Sequence, residues 1–154
     1  MSKISVIIPV YNVENFIAEA INSCLKQSFQ KIEIIIVDDC GTDKSMEIVQ
    51  EYAKKDTRIK IVRNQENLGL LKARFEGAKS ASGDILMFCD GDDLLEREAL
   101  EKVYQEFLDN ELICFHYKEL KHRELTKLKN FFTQTQVFTL EEFKEFYLRG
   151  GGLK

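Results

Sequence analysis

The sequence predicts an α/β fold: an open, mainly parallel sheet flanked by helices. Three observations carry that expectation. Apolar runs alternate with segments of helical periodicity, three of the runs are nearly continuous in Ile, Val, Leu and Met, and acidic residues gather where runs end. Strand–helix alternation implies parallel pairing through right-handed crossovers, and continuous apolar runs imply strands covered on both faces.

The elements follow in order. The run ISVIIPV (4–10) leads into residues 15–27, where Ile17, Ile21, Cys24 and Leu25 fall on one stripe at i, i+4, i+7, i+8. The run IEIIIVDD (32–39) precedes residues 43–54, with Met46, Val49 and Ala53 on a stripe and Thr42 and Asp43 as caps. IKIVRN (59–64) alternates, Ile59 and Ile61 against Lys60, and is expected nearer an edge. Residues 70–80 are helical in composition and Gly83 closes them. DILMFCD (84–90) is the last long run, and residues 96–108 repeat the helical spacing with Leu100, Val103, Tyr104, Phe107 and Leu108.

The chain has 154 residues, 44% hydrophobic and 31% charged, which is ordinary globular chemistry for one domain or part of a larger one. A net charge of -4 argues against nucleic acid as a partner. Cys24, Cys40, Cys89 and Cys114 form no CxxC pair, so neither a zinc site nor a disulfide framework is expected, and a cytoplasmic location fits. Cys24 and Cys89 sit within apolar patterns and read as small core residues. The opening MSKISVIIPVYN is too short for a signal peptide, contains Pro9 and leads to no small-residue cleavage site.

Open α/β sheets bind ligands outside the carboxyl ends of their strands. There the first run ends in Tyr11 and Asn12, the second in Asp38 and Asp39, and the last in Asp90, Asp92 and Asp93. Five carboxylates on one rim repel unless a cation sits among them. Hard oxygen donors suit Mg2+ or Mn2+, which keep one or two carboxylates and complete their shell with phosphate and water. Gly91 is expected to let the backbone bend between Asp90 and Asp92. The competing reading is that Asp92 and Asp93 cap a helix beginning near residue 95, and that DDCGTD is a plain helix cap with Gly41 making the turn. An EF-hand fails because Leu94 and Leu95 stand where an acid and Gly belong, and neither GxxxxGK[ST] nor GxGxxG follows the first run. After the third run, RNQENLGLLKAR (63–74) places a turn at Asn67 and Gly69, with Lys72 and Arg74 in the first turns of the next helix.

VIIPVYN, IIIVDDCGTD, ENLGLLKAR and FCDGDD together resemble the inverting family 2 glycosyltransferases with the GT-A fold, over roughly residues 3–108. The resemblance implies a nucleotide-sugar donor, most often a UDP-sugar, with a divalent metal, Mn2+ or Mg2+, at the DxD element. By position it implies that Pro9, Tyr11 and Asp39 line the base pocket, Asp39 accepting from the uracil ring. Arg74 would approach the base or diphosphate, and Asp90 the ribose or metal. Asp92 would be the metal ligand, with Asp93 as the alternative, and Glu14 and Asp38 would assist at the pocket edge. Cys40 departs from the family's usual Gly or Ser. The family's catalytic base comes from beyond the DxD turn, and no acid here is assigned that role.

Two portions are therefore expected: a nucleotide-sugar-binding portion at 1–108, and a divergent segment at 109–154 continuing into an acceptor-side half. The segment KELKHRELTKLK (118–129) carries five Lys or Arg against two acids; it reads as the solvated face of a helix or loop, with peripheral contact with a membrane at the cytoplasmic face as the alternative. Thr139 and Glu142 form a capping box ahead of a helix ended by Gly150. The expected acceptor is a glycan or a lipid-linked sugar, and self-association through exposed apolar surface is a further expectation. A non-catalytic nucleotide-sugar-binding module is the alternative to an enzyme.

Overall fold

The computed structural model describes residues 2–107 and the strand residues 112–113, 120–121, 124–125 and 137–138. The chain divides into two compact units, Met1–Tyr104 and Gln105–Lys154. In the first, β1 (Ile4–Val10), α1 (Ile17–Leu25), β2 (Ile32–Asp38), α2 (Ser45–Lys55), β3 (Ile59–Arg63), α3 (Leu70–Lys79) and β4 (Ile85–Phe88) alternate, and α4 (Ala99–Phe107) begins. In the second, β5 (Leu112–Ile113) pairs antiparallel with β8 (Val137–Phe138), and β6 (Leu120–Lys121) with β7 (Glu124–Leu125). The basic stretch as a whole and the capped helix from Thr139 lie outside the described residues.

The four long strands make one parallel sheet in the order β3-β2-β1-β4. The chain steps outward from β1 to β3, then returns across the sheet to place β4 on the other side of β1. With right-handed crossovers, that reversal puts α3 on the face opposite α1 and α2. Ile7, Ile35, Val37 and Ala73 form the core beneath α3. Gly77 permits this close approach, since a Cβ there would collide with Ile7 Cγ2 and lie 2.9 Å from Val37 Cγ2. By alternation Ile4, Val6, Ile8 and Val10 turn to the other face and are buried, as are Ile17, Ile21, Cys24, Val49, Leu100 and Val103 of the helices.

β3 is an edge strand, as its alternation predicts. β4 differs from expectation: Ile85 and Met87 are buried, but Leu86 is 45% and Phe88 44% exposed. The cause is topological, because β4 is the other edge and α3 packs over β1 and β2. At the opposite end of the sheet from the acidic rim, Glu33 is buried at 2% exposure. It accepts from Ser5 Oγ at 2.6 Å and from Ser82 N at 2.7 Å, and pairs with Lys60 at 2.7 Å and Lys3 at 3.0 Å. Burial pushes its carboxyl up, but Lys60, Ser5, Ser82 and Lys3 together outweigh that and hold it well below the ordinary range.

Candidate nucleotide and metal site

The reversal of strand order between β1 and β4 opens a crevice at the carboxyl ends of those strands. A cleft of about 440 Å³ lies there, lined by Pro9, Val10, Tyr11, Val13, Asp39, Asn67, Gly69, Leu70, Asp90, Gly91 and Asp92. Another hollow of about 450 Å³, lined by Ser23, Lys26, Leu95 and Arg97, brings together no acid and no strand-end residue. The first cleft is the candidate site.

Asp39 follows the last residue of β2 and is only 2% exposed. Its Oδ1 accepts from Asn64 Nδ2 at 2.7 Å and from Leu68 N at 2.9 Å, and its Oδ2 accepts from Gly69 N at 2.9 Å. The carboxylate thus pins the loop between β3 and α3. Gly69 takes φ +81 at the N-terminus of α3, a backbone that glycine adopts without strain. Asp39 has about four lone-pair positions, and three are filled by these donors. One remains on Oδ2, in a residue that lines the cleft.

The remainder of the DDCGTD turn leads into α2, whose cap position is Lys44, not Thr42 or Asp43 as expected. Asp43 Oδ1 accepts from Ser45 N at 3.0 Å, and its Oδ2 from Glu14 N at 2.8 Å. Glu14 Oε2 accepts from Lys44 N at 2.9 Å in return. Asn12 Oδ1 accepts from Thr42 N at 2.7 Å, so the loops after β1 and β2 are stitched together behind Tyr11. Asp38 points to Arg63, 3.9 Å away. Glu14 and Asp38 are therefore not among the cleft-lining residues. The turn's left-handed residue is Cys40, at φ +62, not Gly41; Gly41 is needed instead because a Cβ would lie 3.0 Å from Asn12 N.

At the end of β4, Cys89 N donates to Ile7 O at 3.1 Å and Asp93 N to Asp90 O at 3.0 Å, closing the acidic turn. Gly91 does not bend with a positive φ. It is required by contact, since a Cβ would sit 3.0 Å from Val13 Cγ2 and 3.2 Å from Pro9 O. α4 starts at Ala99, six positions past Asp93, so neither Asp92 nor Asp93 is its cap. Arg74, from α3, pairs with Asp90 at 2.5 Å, while its buried Nε has no hydrogen-bond partner. Partial burial, then the charges of Asp92 and Asp90, push the Asp93 carboxyl above its ordinary value, partly offset by Arg74.

Among the described residues, no group of three or more His, Cys, Asp or Glu could hold a metal by itself. The donor set present is the exposed Asp92 carboxylate with Asp93 beside it. That suits a hard cation which takes one or two carboxylates and draws the rest of its shell from phosphate and water. The residues fit such an ion.

The strand-end residues Pro9, Tyr11, Asp39, Asp90 and Asp92 come together, and Arg74 reaches them through Asp90. Asn12 stands on the rim as the sequence places it, but its bond from Thr42 N and the support that Asn64 gives Asp39 are not foreseen. Their only sequence signal is an Asn just past an apolar run, which is also ordinary loop chemistry.

Residues 5–150 match the family model Glycosyl transferase family 2. The chain belongs to that family. It is 43% identical over 116 residues to an uncharacterized glycosyltransferase of Haemophilus influenzae, covering 75% of this chain and 46% of that protein. It is 36% identical over 141 residues to the putative teichuronic acid biosynthesis glycosyltransferase TuaG of Bacillus subtilis, covering 90% and 56%. The crystal structure of Staphylococcus aureus TarS 1–349 in complex with UDP-GlcNAc superposes with a TM-score of 0.65 at 36% identity, covering 70% of this chain and 32% of that one. The sheet is thus that of the GT-A glycosyltransferases, and the chain spans about half or less of these proteins' length.

Proposed function

We propose that this chain forms the donor-binding portion of a transferase that moves a sugar from a UDP-sugar to a glycan or lipid-linked acceptor, with inversion, during cell-surface polysaccharide assembly. The observation that carries the reading is the meeting of Asp39, Asp90 and Asp92 in one cleft beside Pro9 and Tyr11. The TarS complex with UDP-GlcNAc and the name of TuaG support the donor and the pathway class. Asp39 offers its remaining Oδ2 lone pair to a ring N–H of the base, while Tyr11, 49% exposed, offers an aromatic face. Asp90, held by Arg74, faces the ribose side of the cleft. Asp92, with Asp93 as the alternative, would hold Mn2+ or Mg2+.

When bound, the cation neutralises charge that develops on the departing diphosphate. Arg74, paired with Asp90, adds a second positive charge beside the cleft. The acceptor-activating base belongs to chain beyond the turn. No described helix is long and apolar enough to cross a membrane. We place the reaction at the cytoplasmic face on the basic composition of 118–129, which suits anionic lipid as a partner.

The test is UDP binding by calorimetry with Mn2+ and with a chelator. Wild type is expected to bind UDP more tightly by tenfold or more with Mn2+, about 1.4 kcal/mol. Asp92→Asn is expected to lose that increment while keeping its circular dichroism spectrum. An Asp92→Asn chain with unchanged metal dependence moves the ligand role to Asp93 or abolishes it.

A further inference from the structure

Gln27, just past the end of α1, is a polar side chain with 1% exposure. Its Nε2 donates to Ser23 O at 3.0 Å and to Glu96 O at 2.8 Å, and its Oε1 accepts from Leu100 N at 3.0 Å. The first N–H groups of a helix lack partners within it, and here α4's Leu100 N–H finds one on α1's side of the fold rather than in a cap. Neighbours extend the contact. Ser23 Oγ accepts from Leu95 N at 3.1 Å, and Ser28 N donates to Arg97 O at 2.8 Å. Residues 95, 96, 97 and 100 are thus all fastened to the end of α1.

The acidic turn hangs between two fixed points. On one side Cys89 is bonded to β1; on the other, Leu94 alone separates Asp93 from the fastened Leu95. Residues 89–98 have no helix or strand of their own to hold them. We propose that Gln27 is a positioning residue for the acidic turn: by tying the end of α1 to the segment after Asp93, it sets where Asp92 and Asp93 present their carboxylates. This rests on the reading that the turn holds a divalent cation beside a nucleoside diphosphate. Residues that orient metal ligands without touching the metal typically contribute 10–100-fold in metal affinity.

Gln27→Met tests it, because Met fills much the same volume with no hydrogen-bonding amide. Three quantities are measured on the full chain: Mn2+ affinity in saturating UDP, by electron paramagnetic resonance of free Mn2+; UDP affinity in chelator; and amide exchange at residues 92–95 without ligand. The expected result is a roughly 10–100-fold loss of Mn2+ affinity, unchanged metal-free UDP affinity and faster exchange at 92–95. Unchanged Mn2+ affinity, or equal losses in both affinities, overturns the proposal. Should Gln27→Met fail to fold, Ser23→Ala removes the Leu95 acceptor together with a hydroxyl bond to Ala20 O within α1; it must show the same split on a smaller scale, or the proposal fails. A wild type with no Mn2+-dependent UDP binding overturns the cation reading; faster exchange in Gln27→Met would then still stand for the clamp itself.

Discussion

Asp39 and Asp43 stand four positions apart in DDCGTD, and either could cap a helix. The structure divides the work: Asp43, just before the Lys44 cap position of α2, accepts from Ser45 N, and Asp39 turns inward to hold Asn64, Leu68 and Gly69. Both acids are visible in the sequence but not separable there, because all three donors to Asp39 lie 25–30 positions away and Asp43 joins a local donor, Ser45 N, to a distant one, Glu14 N. Replacing Asp39 by Asn sets an NH2 group against one of three donors. A hydrogen bond to a charged group contributes about 1.5–3 kcal/mol. Asp39→Asn is therefore expected to weaken UDP binding about 10–100-fold and to speed amide exchange at Leu68 and Gly69. Weakened binding with unchanged exchange at those amides would show that Asp39 serves the ligand alone and not the loop.

At the scale of elements, the four strands and three crossovers were legible because buried parallel strands write continuous apolar runs. The start of α4 was not. Periodicity placed it at residue 96 and it begins at Ala99, since the bonds from Gln27 and Ser28 hold 96 and 97 in a non-helical path. The burial of Glu33 was equally invisible, as an acid inside IEIIIVDD reads as an interruption of the strand. It joins β1, β2, β3 and the loop before β4 through one carboxylate. A folded-state carboxyl held below its unfolded value of about 4.3 stabilises fully above that pH and loses the contribution as pH falls further. Glu33→Gln is expected to cost about 2 kcal/mol in denaturant unfolding at pH 7, and clearly less at pH 3. A difference that grows on acidification contradicts this account of the network.

For the molecule as a whole, one topological event makes the site. The return from β3 to the far side of β1 places the ends of β1, β2 and β4 around one crevice, and the acids at those ends become neighbours. The same event leaves Leu71 and Phe75 exposed on α3, and Leu86 and Phe88 exposed on an edge strand whose continuous apolar run predicts cover on both faces. The claim beneath everything else is that a divalent cation and a diphosphate belong among Asp90, Asp92 and Asp93, with the base toward Asp39 and Tyr11. Paramagnetic Mn2+ reports this directly when added with UDP to the isotopically labelled chain. The expected result is broadening of amide signals centred on residues 90–93, reaching Tyr11 and residues 67–69 and sparing the Glu33 end of the sheet. Broadening centred elsewhere, or none with UDP present, would contradict the assignment.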